Sequence, residues 1–167
     1  MAMTMSATVA PRALECSRLG PAWRAPLATF LRALEAAGDH HWFHPHPFTE
    51  EALDRLCTPE GQGADLYYVL VDGEAVLGYG LLRGWNEGYE IPSLGIAIAP
   101  AARRQGLGRA FMRWLHGAAR DRGARQVRLR VDAANAGAAT LYQELGYRFD
   151  TREGPYLVGL LDLESSR

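Results

Sequence analysis

Apolar positions along this chain follow two rhythms. In Trp23–Ala37, Leu27, Phe30, Leu31 and Leu34 recur three or four positions apart, the spacing of one helix face, and Gly38 ends the run. A longer helical face runs through Gly106–Arg122, with Leu107, Ala110, Phe111, Trp114, Leu115 and Ala118 in one stripe and Gly123 as its stop. Thr49 is placed to cap a short helix that has Glu50 and Glu51 in its first turn and Leu53 and Leu56 on its face. Asn135–Leu145 predicts a further helix, with Gly146 just past its end. The other rhythm is that of strands. Arg12–Arg18 alternates Leu14 and Cys16 against charge, and Val127–Val131 alternates with Arg128 and Arg130. Asp65–Val71 and Ala75–Leu82 are β-rich runs joined by Asp72-Gly73, a hairpin signal. Tyr89–Ala99, Tyr147–Thr151 and Tyr156–Leu163 supply the remaining strands. The order β-α-α-β-β-β-α-β-α-β-β predicts a mixed α/β (α+β) fold, one sheet with helices on both faces.

Composition narrows the class. A chain of 167 residues has the length of one domain and can bury a proper core. We expect frayed ends, with residues 1–10 disordered and 11–167 forming a single domain. Hydrophobic residues make up 48% and charged ones 22%, an ordinary globular balance. Net charge is −1 (18 minus 19), so no basic field argues for nucleic acid. Met1–Ala10 lacks the basic and apolar regions of a signal peptide, and no apolar run is long enough to span a bilayer. No membrane association and a cytoplasmic location are therefore expected. Cys16 and Cys57 are too few for a disulfide framework and read as reduced thiols.

Two short motifs carry chemistry. Arg103-Arg104-Gln105-Gly106-Leu107-Gly108-Arg109 lies between the apolar strand Ile96-Ala97-Ile98 and the long helix. Gly106 and Gly108 let an anion approach the backbone, the helix start offers free N–H groups, and the three arginines add forked cationic donors. A Walker loop needs a lysine, and every basic residue here is arginine. A dinucleotide fingerprint needs a third glycine where Phe111 stands. What remains is a phosphate loop of another kind, or a glycine pair that eases helix packing. The second motif, N-x-x-A-x-x-L-Y-x-x-x-G at Asn135, Ala138, Leu141, Tyr142 and Gly146, puts a phenol on the following helix. Tyr142 shares its face with Ala138, Leu141 and Leu145, so spacing alone reads it equally as core.

R-x-x-G-x-G at Arg103, Gly106 and Gly108, followed about thirty residues later by the second motif and Tyr147, resembles the GNAT superfamily of N-acetyltransferases. The likeness covers roughly residues 64–163. It implies a GNAT-like fold, a central, mostly antiparallel sheet of about seven strands with about four helices, whose strands splay near Ile96–Ile98. It implies acetyl-CoA as donor and no metal. The pyrophosphate would lie on the Arg103–Arg109 loop (Arg103, Arg104, Gln105, Gly106, Leu107, Gly108, Arg109), and the pantetheine arm beside Ile96, Ala97 and Ile98. It implies Asn135 near the pantetheine and Tyr142 as the acid for the departing thiolate. The expected activity is acetyl transfer to a primary amine of a small molecule, an amino acid, amino sugar or similar. An inactive CoA-binding sensor and a protein N-terminal acetyltransferase are the alternatives, and a homodimer is left open.

The base that deprotonates the amine is read as Glu90, two residues before Pro92, with Glu87 as runner-up. Four of the five histidines fall in His40–His46, where Pro45 and Pro47 stiffen the path. Three readings stand: rings packed on the sheet, an acceptor wall, or a metal site, for which no Cys or Asp ligand set accompanies the histidines. Trp42, His44, His46, Trp85 and Glu90 are the candidate acceptor-binding residues. The identity of the acceptor is not written in any motif.

Overall fold

The computed structural model describes residues 13–164. Arg12, the first residue of the expected opening strand, lies outside them. Seven strands form one sheet: β1 (Leu14–Arg18), β2 (Leu66–Asp72), β3 (Ala75–Arg83), β4 (Ser93–Ile98), β5 (Gln126–Asp132), β6 (Arg148–Glu153) and β7 (Tyr156–Asp162). Five helices accompany them: α1 (Arg24–Ala36), α2 (Glu50–Leu56), α3 (Pro59–Gln62), α4 (Leu107–Asp121) and α5 (Ala136–Glu144). The sheet order is β1-β2-β3-β4-β5-β7-β6, antiparallel everywhere except between β4 and β5.

Local chemistry sets the elements. The Thr49 hydroxyl accepts from Ala52 N, satisfying one orphan amide at the start of α2. Thr58 does the same for Gly61 N, and with Pro59 at the first position it starts the four-residue α3. This turn is too short to leave a helical period in the sequence. Asp72-Gly73 closes the β2–β3 hairpin with Gly73 at φ +61°. The strand expected from Tyr89 begins only at Ser93. Gly84 (φ +121°) and Gly88 (φ +85°) turn the chain back, and Pro92 has no N–H to give a ladder.

The core has two halves, one on each sheet face. On one face α1 buries Leu27, Phe30, Leu31 and Leu34 against Val69, Tyr79 and Leu81. On the other, α4 buries Leu107, Phe111, Met112 and Leu115 against Leu70, Leu82, Leu94, Val127 and Leu129. α4 lies close to β3 because Gly80 faces it without a side chain: a Cβ there would stand 2.8 Å from Leu115 Cδ1 and Phe111 Cζ. Cys16 and Cys57 are free thiols. Among the described residues no helix is long and apolar enough to cross a membrane.

Candidate active site

The site begins as a defect in the sheet. β4 and β5 make a single ladder pair, Ser93 with Arg128, and then separate. On its other edge β4 stays in register with β3 from Ser93 to Ile98. Ala99 N donates to Leu77 O on that side, and Pro92 O accepts Arg128 N on the β5 side. Strand alternation turns the N–H and C=O groups of Leu94, Ile96 and Ile98 toward β5; the one ladder pair takes up the Leu94 N–H, and beyond it no strand pairs with Ile96 or Ile98 on that side. Such a row of backbone groups can bind an extended amide-bearing chain.

The gap opens into a groove of about 690 Å³, lined on one side by Leu94–Ile98 and on the other by Leu129, Arg130, Val131, Asn135, Leu141 and Tyr142. Its mouth is the loop before α4. Gly106 caps that helix in the left-handed region at φ +75°, with no side-chain cap. The first intrahelical bond runs from Ala110 N to Gly106 O, so the amides of Leu107, Gly108 and Arg109 have no partner within the helix. A Cβ on Gly108 would project to 3.8 Å from both Ile98 Cγ1 and Leu141 Cδ2, across the floor between β4 and α5. The bare glycine thus leaves open a cradle that any larger side chain would fill.

The three arginines of the loop are not equivalent. Arg103 donates to Asp39 Oδ2 at 2.7 Å and to Ile98 O through Nε and Nη2, tying the loop to the α1–α2 connection and to the end of β4. Arg109 pairs with Glu144 on α5. Arg104 lines the groove, has no ion-pair partner among the described residues, and adopts φ +61°, which only a few per cent of non-glycine residues do. Gln105 is exposed and does not line the groove, whereas Leu107 is buried under the helix start and lines the groove wall.

Tyr142 stands on α5, whose N-cap Asn135 accepts from Ala138 N at 3.4 Å. Its ring packs edge-on against Tyr147 at 5.9 Å, and burial pushes its phenol pKa up to about 12. The hydroxyl has no hydrogen-bond partner among the described residues and faces the groove. Behind it, Tyr147 Oη and His116 Nε2 share a hydrogen bond of 2.7 Å in the core. This pair went unnoticed in the sequence, where His116 sits as one polar letter in the stripe of α4.

The expected acceptor residues scatter. Trp42 lines the groove and is 43% exposed. Glu90 lies not on a strand but in an exposed bend, lining a second cavity of about 880 Å³ with Arg83, Glu87, Tyr89, Ser93 and Arg128. His46 lines neither cavity: it bonds Tyr79 Oη at 2.9 Å and Pro47 O at 2.8 Å, and burial lowers its pKa. His44 is exposed and bonds His40 O. Trp85 is carried to the α4 side, under Arg122 at 5.1 Å, and lines neither cavity. The histidines turn to separate partners, and among the described residues no group of three or more His, Cys, Asp or Glu gathers as a metal site. The two cavities are lined by chain neighbours where the splay closes: Ser93 and Arg128 line one, and Leu94 and Leu129 line the other.

Comparison with known proteins follows this geometry. A mycothiol acetyltransferase from Geodermatophilus obscurus is 34% identical over 142 residues, 84% of this chain and 42% of the relative. A streptothricin acetyltransferase from Streptomyces lavendulae is 34% identical over 100 residues, 60% of this chain and 48% of the relative. The chain thus spans under half the length of these curated relatives. The PaiA N-acetyltransferase of Thermoplasma acidophilum, solved in complex with coenzyme A, superposes with a TM-score of 0.74 at 12% identity, over 90% of this chain and 99% of that one, which establishes the fold. The family model described as the acetyltransferase (GNAT) family matches residues 32–147, and the chain belongs to that family.

Proposed function

We propose that this protein is an acetyl-CoA-dependent N-acetyltransferase acting on a primary amine of a small molecule. The observation that carries the reading is the splay of β4 from β5, with a glycine-floored anion cradle at its open end and a free phenol inside it. The residues present fit coenzyme A. The amides of Leu107, Gly108 and Arg109, which have no partner within the helix, and the guanidinium of Arg104 suit a pyrophosphate, and the β4 edge at Ile96 and at the Ile98 N–H, which no strand covers, suits the amides of pantetheine. Asn135 holds α5 in place and borders the same wall.

Acetyl-CoA supplies an acetyl group already activated as a thioester. The acceptor nitrogen forms the new C–N bond, the C–S bond breaks, and the nitrogen gives up one proton. A backbone N–H of β4 facing the gap is placed to steady the oxygen of the carbonyl under attack. Tyr142, at a pKa of about 12, stays protonated through the physiological range and donates to the sulfur as charge develops there. A thiol near pKa ~8.5 holds its proton about three units less tightly than this phenol. The phenol therefore acts chiefly as a hydrogen-bond donor, and the thiolate leaves nearly unaided. Glu90, exposed and lining the second cavity, is the carboxylate we assign to take the amine's proton, directly or through water. The cytoplasm, which supplies acetyl-CoA, is the compartment that suits this reaction.

The test is binding followed by turnover. Titration calorimetry should show acetyl-CoA binding to the wild-type chain and none to Gly108→Glu, which puts bulk and negative charge into the cradle. Thiol release with a panel of amines should then follow. Wild-type affinity in Gly108→Glu would refute the cradle, and tight binding without thiol release from any amine would leave a CoA sensor.

A further inference from the structure

The second cavity holds a row of side chains that neither the phosphate cradle nor the leaving-group donor uses. Arg83 on β3, Ser93 on β4 and Arg128 on β5 are consecutive register partners across three strands. Register partners project from the same face of a sheet, and Arg128 Nη1 lies 3.4 Å from Ser93 Oγ. The hydroxyl thereby has the Arg128 guanidinium beside it, and Arg83, whose guanidinium reaches Pro45 O, stands on the next strand of the same face. The positive charge of this row is only partly matched. Arg83 bonds a neutral group, Pro45 O, at 2.5 Å, and has no carboxylate partner among the described residues. Arg128 bonds Glu153 Oε1 at 2.9 Å, but the same carboxylate also serves Arg130 at 3.3 Å. Glu153 is thus shared by both β5 arginines, Arg128 and Arg130, and Arg83 is in no ion pair among the described residues. Glu87 and Glu90 face the row across the cavity from the Gly84–Ile91 bend, and Tyr89 beside them is 67% exposed.

We propose that the acceptor is an amino-carboxylate, whose carboxylate seats on the Arg83–Ser93–Arg128 row while its amine turns toward the β4–β5 gap. This rests on the N-acetyltransferase reading and narrows its substrate class. Two forked guanidiniums and a hydroxyl match a planar carboxylate, which accepts parallel N–H donors. Glu90 and Glu87 supply the opposite sign for the ammonium before it loses its proton. Ser93 is the last residue of β4 paired with β5 before the splay, and its neighbour Leu94, whose side chain leaves the opposite face, lines the groove. A carboxylate on the row is therefore next to the opening of the gap, which suits an α- or β-amino acid, in which amine and carboxylate are a few bonds apart. That placement does not suit an amine with no acid group or one far along a chain.

Matched pairs provide the experiment. The α- and β-amino acids and their carboxamides are offered to the full chain with acetyl-CoA, and thiol release is followed. At least one acid should exceed its own amide by 10²-fold or more in kcat/KM, the difference sitting in KM. Arg83→Gln and Arg128→Gln should each lower kcat/KM for that acid by about 10–100-fold, as for loss of a charged hydrogen bond, and narrow the gap to the amide. Arg128→Lys, which keeps the charge and loses the fork, should fall between. The acetyl-CoA dissociation constant, measured on the same samples, should not move, which also verifies that each variant folds. Acids and amides acetylated alike, variants that slow both forms equally, or acetyl-CoA binding with no acid in the panel acetylated would each overturn the inference while the CoA-binding reading stands. Failure of the wild-type chain to bind acetyl-CoA would instead bring down the N-acetyltransferase reading, and this inference with it.

Discussion

The sharpest distinctions in this molecule are between like residues. Arg103, Arg104 and Arg109 read alike in the motif, yet two are already committed to Asp39 and Glu144, and only Arg104 lines the groove without an ion-pair partner. An arginine already in an ion pair gains less from a phosphate than one that is not. Arg104→Ala is therefore expected to weaken acetyl-CoA binding by about 10–100-fold, more than Arg109→Ala, with little change in thermal stability, since alanine is no worse than arginine at φ +61°. Equal affinities for the two variants in titration calorimetry would reverse the assignment. Tyr142→Phe removes one oxygen and keeps the ring against Tyr147. The chemical step should slow by about 10–100-fold, as for loss of one hydrogen bond to a developing thiolate. Single-turnover rates equal to wild type would leave Tyr142 a packing residue. The motif letters alone could not rank these residues, because ion pairs such as Arg103–Asp39 join positions far apart in sequence.

At the scale of elements, the sequence was most legible where one face repeats. α1 and α4 fall within a residue or two of their expected bounds, because their apolar stripes meet the two core halves. Glu90 shows where this reading stops. A run from Tyr89 to Ala99 looks like one strand until Gly84, Gly88 and Pro92 are given their dihedrals, and the carboxylate then moves from a strand to a bend. The splay was legible only through family resemblance. Leu94–Ile98 and Leu129–Val131 have ordinary strand composition, and their divergence is set by what packs between and behind them. Gly78 and Gly80 were a signal left unread: glycines inside a strand often mark close approach of another element. Gly80→Ala would press a methyl to 2.8 Å from Phe111 and Leu115 of α4. Overpacking of this kind costs about 1–3 kcal/mol, and it pushes the helix that begins at the phosphate cradle. Chemical denaturation should show that loss together with weaker acetyl-CoA binding. An unchanged midpoint would mean that α4 yields freely and does not fix the cradle.

Across the whole molecule, the sheet divides the elements: α1 and α2 pack on one face, while α4 and α5 carry the proposed cradle and phenol. The second half is locked by a buried polar pair, His116 of α4 and Tyr147 beyond α5, 7% and 4% exposed. Burial first, and then the charge of Arg120, lowers the His116 pKa from 6.5 to about 4. Burial likewise raises that of Tyr147, so phenol and imidazole both stay neutral and share the bond. The sign of the linkage follows. The unfolded chain takes up this proton near pH 6.5 and the folded chain only near pH 4, so stability is full above about pH 6.5 and falls as pH drops between these values. The difference of about 2.5 pKa units amounts to roughly 3 kcal/mol, and His46, lowered by burial beside Tyr79, adds in the same direction. His116→Gln removes the titration while leaving a carboxamide able to accept from Tyr147. Its stability at pH 7.5 should be somewhat lower than wild type, and its decline toward pH 4.5 distinctly shallower. Urea midpoints for both chains across that range decide it. Curves that fall in parallel would mean His116 is protonated in the folded core, and that acid weakens the molecule through its carboxylates instead.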